Sequence, residues 1–104
     1  MINPARAEIW IVDLGMAAKV RPCLLLTDFP ADDELALVTV IPHTTAVRGN
    51  RWEVCIPKSF LKAGAFHRQQ VQSVSIARLE RKLGALTDEE WREVSKALSN
   101  RLFS

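Results

Sequence analysis

Two short polar clusters carry the residues best suited to chemistry. Arg21 heads the run Pro22-Cys23-Leu24-Leu25-Leu26, and His43-Thr44-Thr45 follow Pro42 after the apolar run from Leu35 to Ile41. A guanidinium is a permanent cation with five donors, and hydroxyls bind oxyanions. Held rigidly at a strand end, such groups suit phosphate chemistry, where charge builds on non-bridging oxygens. Neighbouring threonines also close local turns onto the backbone, and a strand-edge arginine often sits in a salt bridge. The residue types alone leave both readings open. Histidine titrates near neutral pH, so His43 is a candidate acid or base, or else an inert loop residue. His67, beside Arg68, carries the same two readings.

Charge is unevenly spread. Between His43 and Gln72 the basic residues are Arg48, Arg51, Lys58, Lys62 and Arg68, against Glu53 alone. Acids gather at 28–34 and 88–93. With a net charge of only +2, this is either an anion-binding middle segment or two solvated faces of opposite sign. Trp52 suits stacking on a base as well as filling a core, whereas Trp10 and Trp91 fall at core-facing positions. The sequence has no Gly-rich phosphate loop, no HExxH and no GxSxG, and its carboxylates do not cluster as metal ligands do. A reaction without metal or cofactor, or binding alone, is what the motifs leave. Cys23 and Cys55 lie in strand-like runs without CxxC spacing and read as buried free thiols.

The elements that must position these groups are mostly strands. Glu8 to Leu14 reads as a strand, Gly15 to Lys19 as a loop. Pro22, lacking an N–H, suits the start of a strand running to about Thr27. Leu35 to Ile41 is rich in Val and Ile and reads as a buried strand. Arg51 to Ile56 alternates as a half-buried strand does, Pro57 to Ala65 has room for a helical turn, and Gln70 to Ile76 alternates again. Arg78 to Leu83 is ambiguous, with Gly84 ending it. Thr87-Asp88-Glu89-Glu90 fits a capping box, and Trp91, Val94, Leu98 and Leu102 give one apolar helix face. A mainly β fold is expected: five or so strands in a small barrel with a terminal helix.

The 104 residues, 48% apolar and 25% charged, match one globular domain over residues 1–104 and argue against disorder. A domain this small buries a modest fraction of its surface, so dimerisation would help it. No run reaches the roughly 20 apolar residues a bilayer requires, and Met1 to Arg6 lacks a signal-like pattern. A cytoplasmic location without a membrane partner is the expectation.

The chain resembles the MazF/PemK-like toxins of bacterial toxin–antitoxin systems. The likeness rests on Glu8 to Leu14, on Lys19-Val20-Arg21-Pro22 with the aliphatic strand after it, and on Val38 to Thr45 with its Pro-x-Thr end. It continues from Gln70 through Arg78-Leu79-Glu80-Arg81-Lys82-Leu83-Gly84-Ala85-Leu86 and into the closing helix. The resemblance implies an SH3-like (CcdB/MazF-like) barrel, a homodimer, and metal-independent cleavage of single-stranded RNA (mRNA) at short sequences. It also implies an antitoxin protein as partner. The essential arginine would fall on Arg21 and the essential threonine on Thr44. The 2′-hydroxyl of the RNA would attack the neighbouring phosphate, giving a 2′,3′-cyclic phosphate and a 5′-hydroxyl. His43 is the candidate for proton transfer. Lys19, Thr45, Arg48, Arg51, Arg68, Gln70 and Gln72 are the expected RNA contacts. His43 stands where many members have an aliphatic residue, and Gln72 where many have an arginine. Competing readings are a CcdB-like gyrase poison acting by protein binding, and a degenerate member that binds nucleic acid without cutting it.

Overall fold

The computed structural model describes residues 3–15 and 19–102, with side chains through residue 99. Seven strands are β1 (Glu8–Asp13), β2 (Val20–Leu25), β3 (Leu37–Thr44), β4 (Glu53–Val54), β5 (Ala65–His67), β6 (Gln72–Ser75) and β7 (Leu79–Ala85), followed by helix α1 (Asp88–Leu102). They form one antiparallel sheet in the order β4-β5-β3-β2-β1-β7, with β6 also on β3. The fold is mainly β, barrel-like, with one terminal helix, as expected.

The long apolar runs are explained by burial on both faces. Period-two alternation sends Ile9, Leu24 and Ile41 into a core shared with Ile56, Phe66, Leu86, Val94 and Leu98. It sends Val12, Cys23, Leu25, Val38 and Val40 into a second core on the other face. Strands buried on both sides read as continuous apolar stretches rather than as alternation.

β3 is the hub. Its first half pairs with β6, Leu37↔Ser75 through Val40↔Gln72, and its last two residues pair with β5, His43↔Phe66 and Thr44↔Ala65. The expected strand over Gln70 to Ile76 therefore shrinks to β6. Arg68–Gln70 and Ile76–Arg78 are 3-10 turns that redirect the chain on either side of it.

Other boundaries also move. The Arg51–Ile56 strand contracts to Glu53–Val54, because the Glu53 carboxylate gathers the N–H groups of Arg48, Gly49 and Asn50 into a tight loop. Residues 57–64 form turns and not a helix. The ambiguous stretch after Arg78 is β7, and Gly84 lies inside it under the ring of Phe60.

Helix α1 carries the expected cap. The Glu90 N–H donates to Thr87 Oγ1 at 3.1 Å and the Thr87 N–H donates to Glu90 Oε1 at 2.8 Å. Lys58 pairs with the same carboxylate at 2.5 Å, and its hydrogen bond leads the contacts that hold Glu90 below the usual carboxylate range. Val94 and Leu98 are buried and Trp91 is half-buried against the first core. Leu98 thus belongs to the interior. Phe103 and the Leu102 side chain lie outside the described residues.

Candidate active site

The β2–β3 register, Cys23↔Pro42, Leu24↔Ile41 and Leu25↔Val40, places Arg21 opposite Thr44 when carried two residues further. Arg21 and Thr44 border the same two hollows, so the two strand ends come together there. Twenty-odd residues of chain separate the two polar clusters, and the sheet sets them side by side. Both are half-buried.

The pair borders two hollows. The first, about 480 Å³, has apolar walls of Ile11, Val20, Phe60, Leu61 and Leu83, with Lys19, Lys62 and Arg81 around them. The second, about 370 Å³, is polar: Arg48, Asn50, His67, Gln69 and Gln70 surround it beside Arg21 and Thr44. Among the described residues no carboxylate lines either hollow. Five cationic side chains, Lys19, Arg21, Arg48, Lys62 and Arg81, line the two hollows.

Thr44 Oγ1 accepts the Ala46 N–H at 3.1 Å. This turn fixes the hydroxyl at the strand end and leaves its O–H to donate to a ligand oxygen. Thr45 and Lys19 line the first hollow and are exposed. Lys19 adopts φ +55° and Gly15 φ +78°, and the backbone bonds Lys19 N–H to Gly15 O (2.9 Å) and Leu14 N–H to Lys19 O (2.8 Å) close the loop that presents the lysine. Arg48 and Gln70 line the second hollow.

Three expected contacts, Arg68, Arg51 and Gln72, sit elsewhere. Arg68 is only 4% exposed. Its guanidinium donates to the carbonyls of Trp52 (3.3 Å), Ala97 (2.9 Å) and Arg51, so it ties the 51–52 loop to α1 and lines neither hollow. Arg51 is exposed, with its guanidinium 4.8 Å above the Trp52 ring, and lines neither hollow. Trp52 itself joins neither core and neither hollow, being held by Arg51 and, at 6.0 Å, by Arg68. Gln72 pairs with Val40 in the sheet and donates to the Gln70 carbonyl at 3.4 Å, away from both hollows.

His43, read as a candidate acid or base or else an inert loop residue, is a strand residue with 6% exposure. Alternation turns its ring to the face opposite the Thr44 hydroxyl, where it meets Phe66 edge-on at 5.0 Å between ring centroids. Burial holds its pKa below the ordinary histidine value. His43 lines the first hollow, as Arg21 and Thr44 do, and not the second.

Cys23 is buried as expected, and burial pushes its thiol up to about 12. Cys55 is exposed, outside any strand, and its thiol donates to the Gly64 carbonyl at 3.0 Å. Sequence reasoning missed Lys62, Arg81, Asn50 and Gln69 as site residues, while His67 stood there as a candidate acid or base or an inert loop residue. Lys62 was visible in the basic stretch. Arg81 required knowing that β7 lies beside β1, where Ile11↔Arg81 are partners.

Residues 5–102 match the family described as PemK-like, MazF-like toxin of type II toxin–antitoxin systems. The chain is 35% identical over 98 residues to the probable endoribonuclease MazF5 of Mycobacterium tuberculosis, covering 91% of this chain and 89% of that one. Its fold is similar to that of the Mycobacterium tuberculosis toxin MazF-mt6, with TM-score 0.72, 30% identity, and 89% and 93% of the two chains covered. It is similar also to an endoribonuclease solved in complex with its cognate antitoxin from a mycobacterial species, with TM-score 0.77, 22% identity, and 95% and 94% covered. At that last identity the likeness is one of fold.

Proposed function

Because the chain belongs to the PemK-like, MazF-like toxins of type II toxin–antitoxin systems, we propose that it is a metal-independent, sequence-specific endoribonuclease acting on single-stranded RNA. One observation carries the reading: Arg21 and Thr44 lie two residues beyond the last β2–β3 pair, Cys23↔Pro42, and border the same two hollows, neither lined by a carboxylate among the described residues.

The chemistry asks little of the protein beyond placement. The nucleophile is the 2′-hydroxyl of the RNA, and the bond it forms to phosphorus closes a 2′,3′-cyclic phosphate as the 5′-oxygen departs. Negative charge grows on the non-bridging oxygens, and donors fixed before the reaction stabilise it without reorganising. Arg21 supplies the charge and Thr44 a hydroxyl already oriented by its bond to Ala46. The first hollow, apolar-walled with cationic surroundings, suits a base flanked by its phosphates, with Lys19 and Thr45 at the adjacent phosphate. The second, rich in amide groups, suits base edges, with Arg48 and Gln70 as contacts. The products carry 5′-hydroxyl ends.

The same cationic surface is the natural target of an acidic antitoxin segment, which inhibits by covering the hollows. A symmetric homodimer follows the family and gives a partner to apolar residues left exposed, among them Val20, Leu35, Leu37 and Val47. Among the described residues no helix is long and apolar enough to cross a membrane, and RNA as substrate places the work in the cytoplasm.

The test is incubation of the pure protein with a long single-stranded RNA in EDTA, with the new ends mapped and their phosphates identified. Arg21→Ala and Thr44→Ala are each expected to lower the rate by about 10²–10³, the usual loss when one oxyanion donor is removed. Intact RNA with the wild-type protein, or near-normal rates in both variants, refutes the reading. A light-scattering mass of one chain at micromolar concentration refutes the dimer alone.

A further inference from the structure

The proposed reaction must take a proton from the 2′-hydroxyl, and the groove offers few groups to accept it. Resting on that reading of the Arg21–Thr44 site, we infer that His67 is the general base, receiving the 2′-hydroxyl proton on Nε2.

Register carries the argument. β5 pairs with β3 through His43↔Phe66 and Thr44↔Ala65. Side chains alternate across a strand, so Phe66 shares a face with His43, as their ring contact confirms, while Ala65 and His67 share the face of Thr44 and, through β2, of Arg21. The chain's two histidines are thus sorted by one residue of phase. His43 goes to the core side and His67 to the side where the phosphate would lie. The second hollow accordingly has Arg21, Thr44 and His67 together in its wall.

The ring is oriented by burial. His67 Nδ1 is fully buried and has no hydrogen-bond partner. Nε2 is therefore the nitrogen left for a ligand in the hollow, and no partner behind the ring fixes either tautomer. The charged groups that face His67 are Arg21 from β2, Arg48 from the preceding loop, and Glu53, its register partner in β4. The Glu53 carboxylate is committed to three backbone N–H groups, the bond from Arg48 first among the causes that lower its pKa. Cationic Lys19, Lys62 and Arg81 around the first hollow have no lone pair to offer.

The step balances without a co-reactant. The O2′–H bond breaks and its proton goes to Nε2. O2′ bonds to phosphorus, the P–O5′ bond breaks with its electron pair on O5′, and O5′ takes a proton from water. The imidazolium then returns its proton to solvent.

The experiment is single-turnover cleavage of a short single-stranded RNA in EDTA across about pH 5–9, the range in which histidine charge changes. Wild type, His67→Gln, His67→Ala and Arg21→Ala are compared. His67→Gln is expected to lose about 10²–10⁴ in rate, the usual contribution of a general base, and to flatten the acid limb of the profile. Its product ends should stay unchanged, and added imidazole should restore both rate and limb to His67→Ala. A rate near wild type with the acid limb intact overturns the inference. So does a uniform loss at every pH that imidazole does not rescue, since that marks a structural role. If His67→Gln fails to fold, the rescue of His67→Ala decides. If Arg21→Ala abolishes cleavage while the histidine variants match wild type, the base assignment falls and the endoribonuclease reading stands. If wild type does not cleave, both fall.

Discussion

Substituting Gly64 tests whether the end of β3 is held as tightly as the proposed chemistry needs. A Cβ on Gly64 would stand 2.2 Å from the Thr44 carbonyl oxygen, 3.0 Å from its carbon and 2.7 Å from His43 Cε1. Ordinary contact begins near 3.4 Å, so Gly64→Ala asks for a shift of about 1.2 Å. The obstacle is backbone in the β3–β5 pair, Thr44↔Ala65, and not the tip of a flexible side chain. Overpacking of this kind costs about 1–3 kcal/mol, which in a domain of this size lowers the melting temperature by roughly 5–20 °C. Part of that strain is relieved by moving Thr44, and a displacement near 1 Å at a catalytic group lowers a rate by about 10². Gly84→Ala is the internal control. There the added Cβ would meet the Phe60 ring at 2.4 Å, but Phe60 is 36% exposed and free to swing outward. Its stability cost should stay below about 1 kcal/mol, with the effect appearing in KM through the lost wall of the first hollow. The assays are thermal melts and single-turnover RNA cleavage on the two variants side by side. A Gly64→Ala protein within about twofold of the wild-type rate and melting no lower than Gly84→Ala would show that the β3 end tolerates displacement. The reasoning from close approach would then be wrong.

Arg68→Met deletes the three guanidinium bonds to the carbonyls of Trp52, Ala97 and Arg51, hydrogen bonds from a charged donor being worth about 1.5–3 kcal/mol each, while the Trp52 carbonyl keeps the Arg68 backbone N–H at 2.8 Å. A urea titration should show a loss of about 3 kcal/mol or more, with no change in the salt dependence of RNA binding measured at a temperature where the variant is folded. Arg48→Gln should reduce the slope of log K against log salt by about 0.7, one phosphate contact to a single strand, while Arg51→Gln, stacked on Trp52 outside both hollows, should leave it unchanged. Burial depresses the His43 pKa below its ordinary 6.5, so between the two values the unfolded chain binds more protons than the folded one. Stability should therefore be constant above about pH 6.5 and fall as the pH drops through the unfolded value, visible as a declining urea midpoint that His43→Leu flattens. One thiol, Cys55, should react with a thiol reagent in the native protein and two in denaturant, because Cys23 is buried with its pKa near 12.

Local sequence determined a good deal of this protein. The continuous apolar runs of β1, β2 and β3 announced strands, because a segment buried on both faces has no polar side to show. Thr87 and Glu90 announced the start of α1, because a capping box satisfies its own donors within four residues. Arg21 and Thr44 stood out as chemistry-bearing types beside those strands. What residue types could not determine was which groups meet. The opposition of Arg21 and Thr44 depends on the β2–β3 register, a pairing between segments about twenty residues apart. The same holds for the histidines: His43 and His67 are equivalent in sequence, and only the phase of β5 against β3 sends one ring to the core and the other toward Arg21. Arg68 read as a surface cation because its partners are backbone carbonyls, which every residue has and no sequence pattern marks. Cys55 read as buried because the alternation from Arg51 to Ile56 looked like a strand, whereas Glu53 folds the preceding loop onto itself and leaves two paired residues. Period and capping are written in neighbouring residues; register, face and burial are set by a distant partner, and the tertiary structure alone supplies it.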